Sequence, residues 1–161
     1  MTTRPPEPDF IGRSLALAAE AGAEGNRPFG AVLVAATGAV LAEGRNRVAS
    51  AADITAHAEL VAIRAATAAG HTGQLAGSVM YASGEPCPMC AAACVWAGVT
   101  RIVFAASTQG FTQVLPDGPH FALSCADLIA SADAHVEVCG PVRELDALAV
   151  MRAATPPAHP R

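Results

Sequence analysis

Thr55-Ala56-His57-Ala58-Glu59 and Glu85-Pro86-Cys87-Pro88-Met89-Cys90 decide how this chain is read. His57 and Cys87 stand thirty positions apart, and two residues separate the cysteines. Each stretch opens an expected helix. Thr55–Ala69 is alanine-rich, free of proline and stopped by Gly70, and Pro86–Ala97 ends at Gly98. Both helices are apolar nearly all round, so both should be buried against a sheet. One imidazole and two thiolates make three ligands. A catalytic zinc takes that number and leaves its fourth tetrahedral position to water. The helix starts favour the thiolate form, because free amides and the helix dipole stabilise negative charge. Zinc brings the pKa of a bound water from about 16 towards about 7. Glu59, two residues past the imidazole, can take that water's proton and pass it to a leaving amine.

Taken alone, each piece has a plainer reading. His57 could be an ordinary hydrogen-bonded histidine. A C-x-x-C pair could be a redox pair or half of a structural zinc site. A structural site needs a fourth ligand at similar spacing, and Cys94, Cys125 and Cys139 supply none. Together, H-x-E and P-C-x-x-C form the pattern of zinc nucleobase deaminases. Cys94, one turn past Cys90, reads as a small buried apolar residue.

Outward from these stretches, Asp9–Gly25 is an expected helix with Phe10, Leu15, Leu17, Ala18 and Ala21 inward. Phe29–Ala36 and Ala39–Arg45 are expected strands joined at Thr37-Gly38. Ser78–Ser83, Arg101–Ala106 and His135–Cys139 complete a set of five strands. Gly110–Phe121, with two glycines and two prolines, reads as loop. Ser124 caps a short helix over Cys125–Ser131, and Pro141 opens a last helix to about Ala153. The order α-β-β-α-β-α-β-α-β-α argues for one sheet with helices on both faces. Its first pair should be antiparallel and its later crossovers parallel and right-handed. Residues 9–153 form a single domain on this reading, with loose proline-rich ends at 1–8 and 154–161.

The 161 residues are 52% hydrophobic and 15% charged, which excludes disorder for the bulk of the chain. Ten arginines, no lysines and fourteen acids give a net charge of −4. That balance argues against nucleic acid as a partner, since a backbone binder shows a basic face. No apolar leader or membrane-length run is visible. The five cysteines are an odd, clustered set, unlike a disulfide framework. The expectation is a cytoplasmic protein with no membrane association.

Pro28-Phe29-Gly30-Ala31-Val32, together with the two opening strings, makes the chain resemble the cytidine deaminase-like superfamily. Within it, the chain resembles the bacterial guanine deaminase, cytosine deaminase and tRNA adenosine deaminase branch. The resemblance covers about Asp9 to Ala106. It implies a three-layer α/β/α sandwich around a mixed five-stranded sheet. It also implies a zinc-dependent hydrolase acting on a cyclic amidine C–N bond. On it, His57, Cys87 and Cys90 hold Zn2+ and Glu59 shuttles protons. Asn46 hydrogen-bonds the base, with donor and acceptor on one amide. A turn residue between Arg45 and Arg47 is the plainer reading of Asn46. Phe29 lies beside the base, or packs in the core, or both. The N–H groups of Ala58 and Cys87 orient the base and the attacking oxygen, and the Glu85 carbonyl accepts from departing ammonia.

Two departures bear on the substrate. Guanine deaminases of this type carry an acidic pair after a Gly-Phe, where this chain has Thr112-Gln113 behind Gly110-Phe111. Their aromatic tail is replaced here by Thr155-Pro156-Pro157-Ala158-His159-Pro160-Arg161. Asp117 is the nearest acid and has no evident place. Gly84 is expected to loosen the turn into Glu85. Guanine, yielding xanthine, remains the leading substrate. The alternatives are tRNA adenosine, cytosine, a nucleoside, or another aminopurine, pterin or triazine. A zinc protein without catalysis stays open and is disfavoured by Glu59. Family members are commonly dimers, and Trp96 reads equally as a subunit contact or as core.

Overall fold

A computed structural model of the chain describes residues 8–154. The expected ends, 1–8 and 154–161, therefore lie almost wholly outside the described residues. Helix α1 (Phe10–Ala23) precedes the strands β1 (Gly30–Val34) and β2 (Val40–Arg45). A short helix α2 (Val48–Ala51), then α3 (Ala58–Ala68), lead to β3 (Val79–Gly84). Helix α4 (Pro88–Ala97), β4 (Arg101–Ala106), α5 (Thr108–Val114), α6 (Cys125–Ala130), β5 (Glu137–Cys139) and α7 (Glu144–Ala153) follow. The single five-stranded sheet has the order β2-β1-β3-β4-β5. β1 runs antiparallel to β2 and β3, while β3, β4 and β5 are parallel.

Strand alternation sorts the core into two layers. Leu33, Met80, Ile102 and Phe104 face Ala62 and Ala66 of α3, Cys94 of α4 and Ile129 of α6. Val103 and Ala105 face the other way, against Ile11 and Leu15 of α1 and Leu148 and Met151 of α7. Every residue of β1 is buried, as helices on both faces require. The sandwich is therefore the expected one. Phe10 is only half-buried, whereas Ile11 and Ser14 join the inward face of α1.

Four expectations fail, each for a tertiary reason. The helix Thr108–Val114 takes in the first five residues of the segment expected to be loop from Gly110. Ser107 caps it by accepting from the Gly110 N–H, and the Glu85 carboxylate accepts from the Thr108 N–H. The last helix starts at Glu144, not Pro141. The Val142 and Arg143 N–H groups are bonded to the carbonyls of Phe104 and Ala105. Residues 141–143 thus run along β4 before α7 can turn. Gly84 does not loosen its turn: a Cβ there would stand 2.8 Å from the Phe29 ring, so close packing holds it. Trp96 is 89% exposed, which removes the core reading. Helix α2 and a 3-10 turn at Thr72–Gln74 are additions that no expectation covered.

Candidate active site

Four strand ends meet at one edge of the sheet. β1 enters there from Phe29, β2 leaves to Asn46, β3 to Glu85 and β4 to Ser107. The register pairs Gly30 with Arg45, Ala31 with Ala82 and Gly84 with Ala106. In open α/β sheets the carboxyl ends of parallel strands are where ligands sit.

His57 is the N-cap of α3 and Cys87 the N-cap of α4, and neither helix has a side-chain cap. Their first-turn N–H groups are left for other acceptors. Gly44 lets α3 approach β2, since a Cβ there would lie 2.0 Å from the Ala58 carbonyl oxygen. His57 Nδ1 lies 3.6 Å from both Cys87 Sγ and Cys90 Sγ. All three donor atoms lie within 4.8 Å of one another. Tetrahedral zinc with ordinary bond lengths places a nitrogen and a sulfur ligand about 3.5 Å apart. The donor set and its spacing therefore fit zinc.

The electrostatics agree. A hydrogen bond from Cys90 holds the Cys87 thiol down to about 4, with help from His57. Cys90, as that donor and as a buried thiol, is pushed up. The Cys87 hydrogen bond raises His57 against the effect of burial. Glu59 is only 8% exposed; burial raises its carboxyl, and the Cys87 charge adds to this. A buried carboxyl with a raised pKa can both take and give a proton near neutral pH.

The remaining expected residues gather around this cluster. Ala58 is buried at the first position of α3. Asn46 is buried, and its N–H donates to the Phe29 carbonyl. Its Oδ1 accepts from the Val48 N–H at 3.2 Å, so it also makes the turn, while among the described residues its amide nitrogen makes no hydrogen bond. Phe29 packs edge-on against Phe111 at 5.2 Å and beside Gly84, so it serves the core at this end of the sheet. Cys94 is fully buried with its thiol pushed up by burial, as its apolar role requires.

Two features escaped sequence reasoning. The Glu85 side chain, and not only its carbonyl, is engaged: Oε2 accepts from Thr108 N–H at 2.8 Å and Oε1 from Cys125 N–H at 2.9 Å. One carboxylate thus ties the starts of α5 and α6 to the turn that carries Cys87. Arg27 lies over the Phe29 ring. A charge next to an apolar motif was the available signal in both cases. Thr112 is half-buried and Gln113 exposed on α5, while Asp117 is exposed.

Residues 7–106 match the model of the cytidine and deoxycytidylate deaminase zinc-binding region. A guanine deaminase of Bacillus subtilis is 46% identical over 100 residues, covering 60% of this chain and 62% of that protein. A tRNA(Ile)-lysidine synthase of Deinococcus deserti is 40% identical over 143 residues, 88% of this chain and 25% of that protein. The chain thus spans less than two thirds of either relative. Among solved structures, NE0047 in complex with 2,6-diaminopurine superposes with a TM-score of 0.76 at 27% identity. That superposition covers 89% of this chain and 78% of that one. With the matched region carrying His57, Glu59, Cys87 and Cys90, the chain belongs to the cytidine and deoxycytidylate deaminase zinc-binding family.

Proposed function

We propose that this protein deaminates a nucleobase hydrolytically, and that guanine is the base, giving xanthine and ammonia with consumption of one water. The observation that carries the reading is buried Glu59 two residues from a His57–Cys87–Cys90 cluster of zinc-binding dimensions. His57, Cys87 and Cys90 would hold zinc, and zinc there would lower the pKa of the attacking water to about 7. Glu59 takes a proton from the attacking water and returns one to the departing amine. The N–H groups of Ala58 and Cys87 orient the base. Asn46 offers its amide to the base edge, Phe29 lines its side, and the Glu85 carbonyl accepts from ammonia. With Thr112-Gln113 unable to ionise at neutral pH, Glu59 carries both proton transfers.

Guanine is favoured by the guanine deaminase relative and by the 2,6-diaminopurine bound in a similar structure. No helix among the described residues is long and apolar enough to cross a membrane. We read Trp96, exposed on α4, as a contact with a second copy of the chain.

The test is ammonia release by the zinc-loaded protein, with Glu59→Ala as control. The panel is guanine, cytosine, adenine, their nucleosides and a tRNA anticodon stem-loop. Release from guanine alone supports the reading. Release only from another member replaces the substrate, and no release from any, with zinc bound, leaves a zinc protein without this catalysis.

A further inference from the structure

Five of the arginines, Arg13, Arg45, Arg64, Arg101 and Arg143, have a carboxylate within 4 Å. Among the described residues, Arg27, Arg47 and Arg152 have none, and of these only Arg27 is half-buried. Its guanidinium carbon lies 5.6 Å from the centre of the Phe29 ring. Its one hydrogen bond among the described residues, Nη2 to the Leu115 carbonyl, is long at 3.4 Å. Burial pulls the guanidinium below its usual pKa, and the Asp117 charge offsets this only in part. The guanidinium also reaches His57 electrostatically, opposing the protonation that the Cys87 hydrogen bond favours. A partly desolvated cation, with most of its five N–H donors unused among the described residues, therefore stands at the rim of the site, on the ring that lines it.

We propose that Arg27 is the specificity-determining residue for the edge of the base remote from the metal ligands, donating its fork to two adjacent acceptors there. The inference rests on the guanine reading. With the 2-amino carbon turned to His57, Cys87 and Cys90, guanine directs O6 and N7 away from them. Those two acceptors match a guanidinium fork, the commonest specific contact made to guanine. The Phe29 face keeps the fork in place by cation–π attraction. A lysine could supply the charge but not the paired geometry.

The experiment compares kcat/KM for guanine and for 2-aminopurine, which keeps the reacting amino group and lacks O6. Wild type, Arg27→Ala and Arg27→Lys are measured with zinc bound. The expected result is a fall of roughly ten- to a hundredfold on guanine in both variants, the size of one bidentate contact, with 2-aminopurine changed less than about threefold. Turnover of 2-aminopurine shows that each variant is folded and active. Equal loss on both substrates makes Arg27 a structural cover for Phe29 and overturns the proposal, as does no loss on either. If wild type releases no ammonia from guanine, the functional reading fails and the proposal with it. If wild type acts on guanine and the substrate ratio ignores the substitution, the proposal alone fails.

Discussion

Glu59 and His57 sit two residues apart, yet their substitution should separate metal binding from turnover. Glu59→Ala removes the proton carrier and leaves the three donor atoms, so zinc content should stay near one per chain while kcat falls by about two to four orders of magnitude. His57→Ala takes one of three ligands and should release the metal. Metal analysis alongside ammonia release checks both; one zinc per chain in His57→Ala would falsify the ligand assignment. Gly84 carries a subtler prediction. A Cβ there would meet Phe29 at 2.8 Å and Phe111 at 3.3 Å, so Gly84→Ala must displace two rings packed beside the turn into Glu85. Overpacking of this kind costs about 1–3 kcal/mol. Calorimetry should show a lowered Tm, with kcat/KM falling further than the stability loss explains. An unchanged kcat/KM would mean that the rings can yield without moving the site.

At the scale of elements, carboxylates at helix starts do much of the positioning. Glu85 accepts from the first N–H of α5 and the first of α6. A glutamine keeps one acceptor oxygen and turns a donor toward the other N–H, leaving it unsatisfied at a cost of about 1–3 kcal/mol. Glu85→Gln should therefore speed hydrogen exchange at Thr108 or Cys125 and raise KM while zinc stays bound. Protection equal to wild type at both amides would show that the clamp is dispensable. Asp9 caps α1 through the Gly12 N–H at 2.7 Å and pairs with Arg143 at 2.8 Å, joining the first and last helices. The Gly12 bond, aided by Arg143, holds the Asp9 carboxyl below its usual 3.8. Because its folded value is depressed, its stabilisation is present above that pH and is lost as pH falls through the folded value. Asp9→Ala should cost about 1 kcal/mol at neutral pH. The gap to wild type in urea midpoints should close in acid well below pH 3.8, and a gap that persists there would assign the cost to something other than the carboxylate.

For the whole molecule, the exposed indole is the open question. Trp96, 89% exposed, lies in the last turn of α4, at the end of that helix opposite Cys87. Light scattering should give a dimer for wild type and a shift toward monomer for Trp96→Glu. A monomeric wild type would overturn the dimer and leave the site complete within one chain.

The sequence by itself determined the metal cluster, Glu59, the two helices that present them and the alternating layers of the sheet. Those features rest on donor chemistry at fixed spacing and on local periodicity, which short segments carry without help. Asn46 and Phe29 were named through the family resemblance, and the structure shows the Asn46 N–H bonded to the Phe29 carbonyl where β1 and β2 meet. Helix α5, the delayed start of α7, the Glu85 clamp, the packing that requires Gly84 and the position of Arg27 were decided by the tertiary structure. Each depends on which distant group meets a backbone N–H, a ring or a cation. Ser107 and Glu85 make a glycine-containing segment helical, and the carbonyls of Phe104 and Ala105 hold residues 141–143 extended. Such partners lie tens of residues away in the chain, and only the assembled sheet brings them within hydrogen-bonding distance.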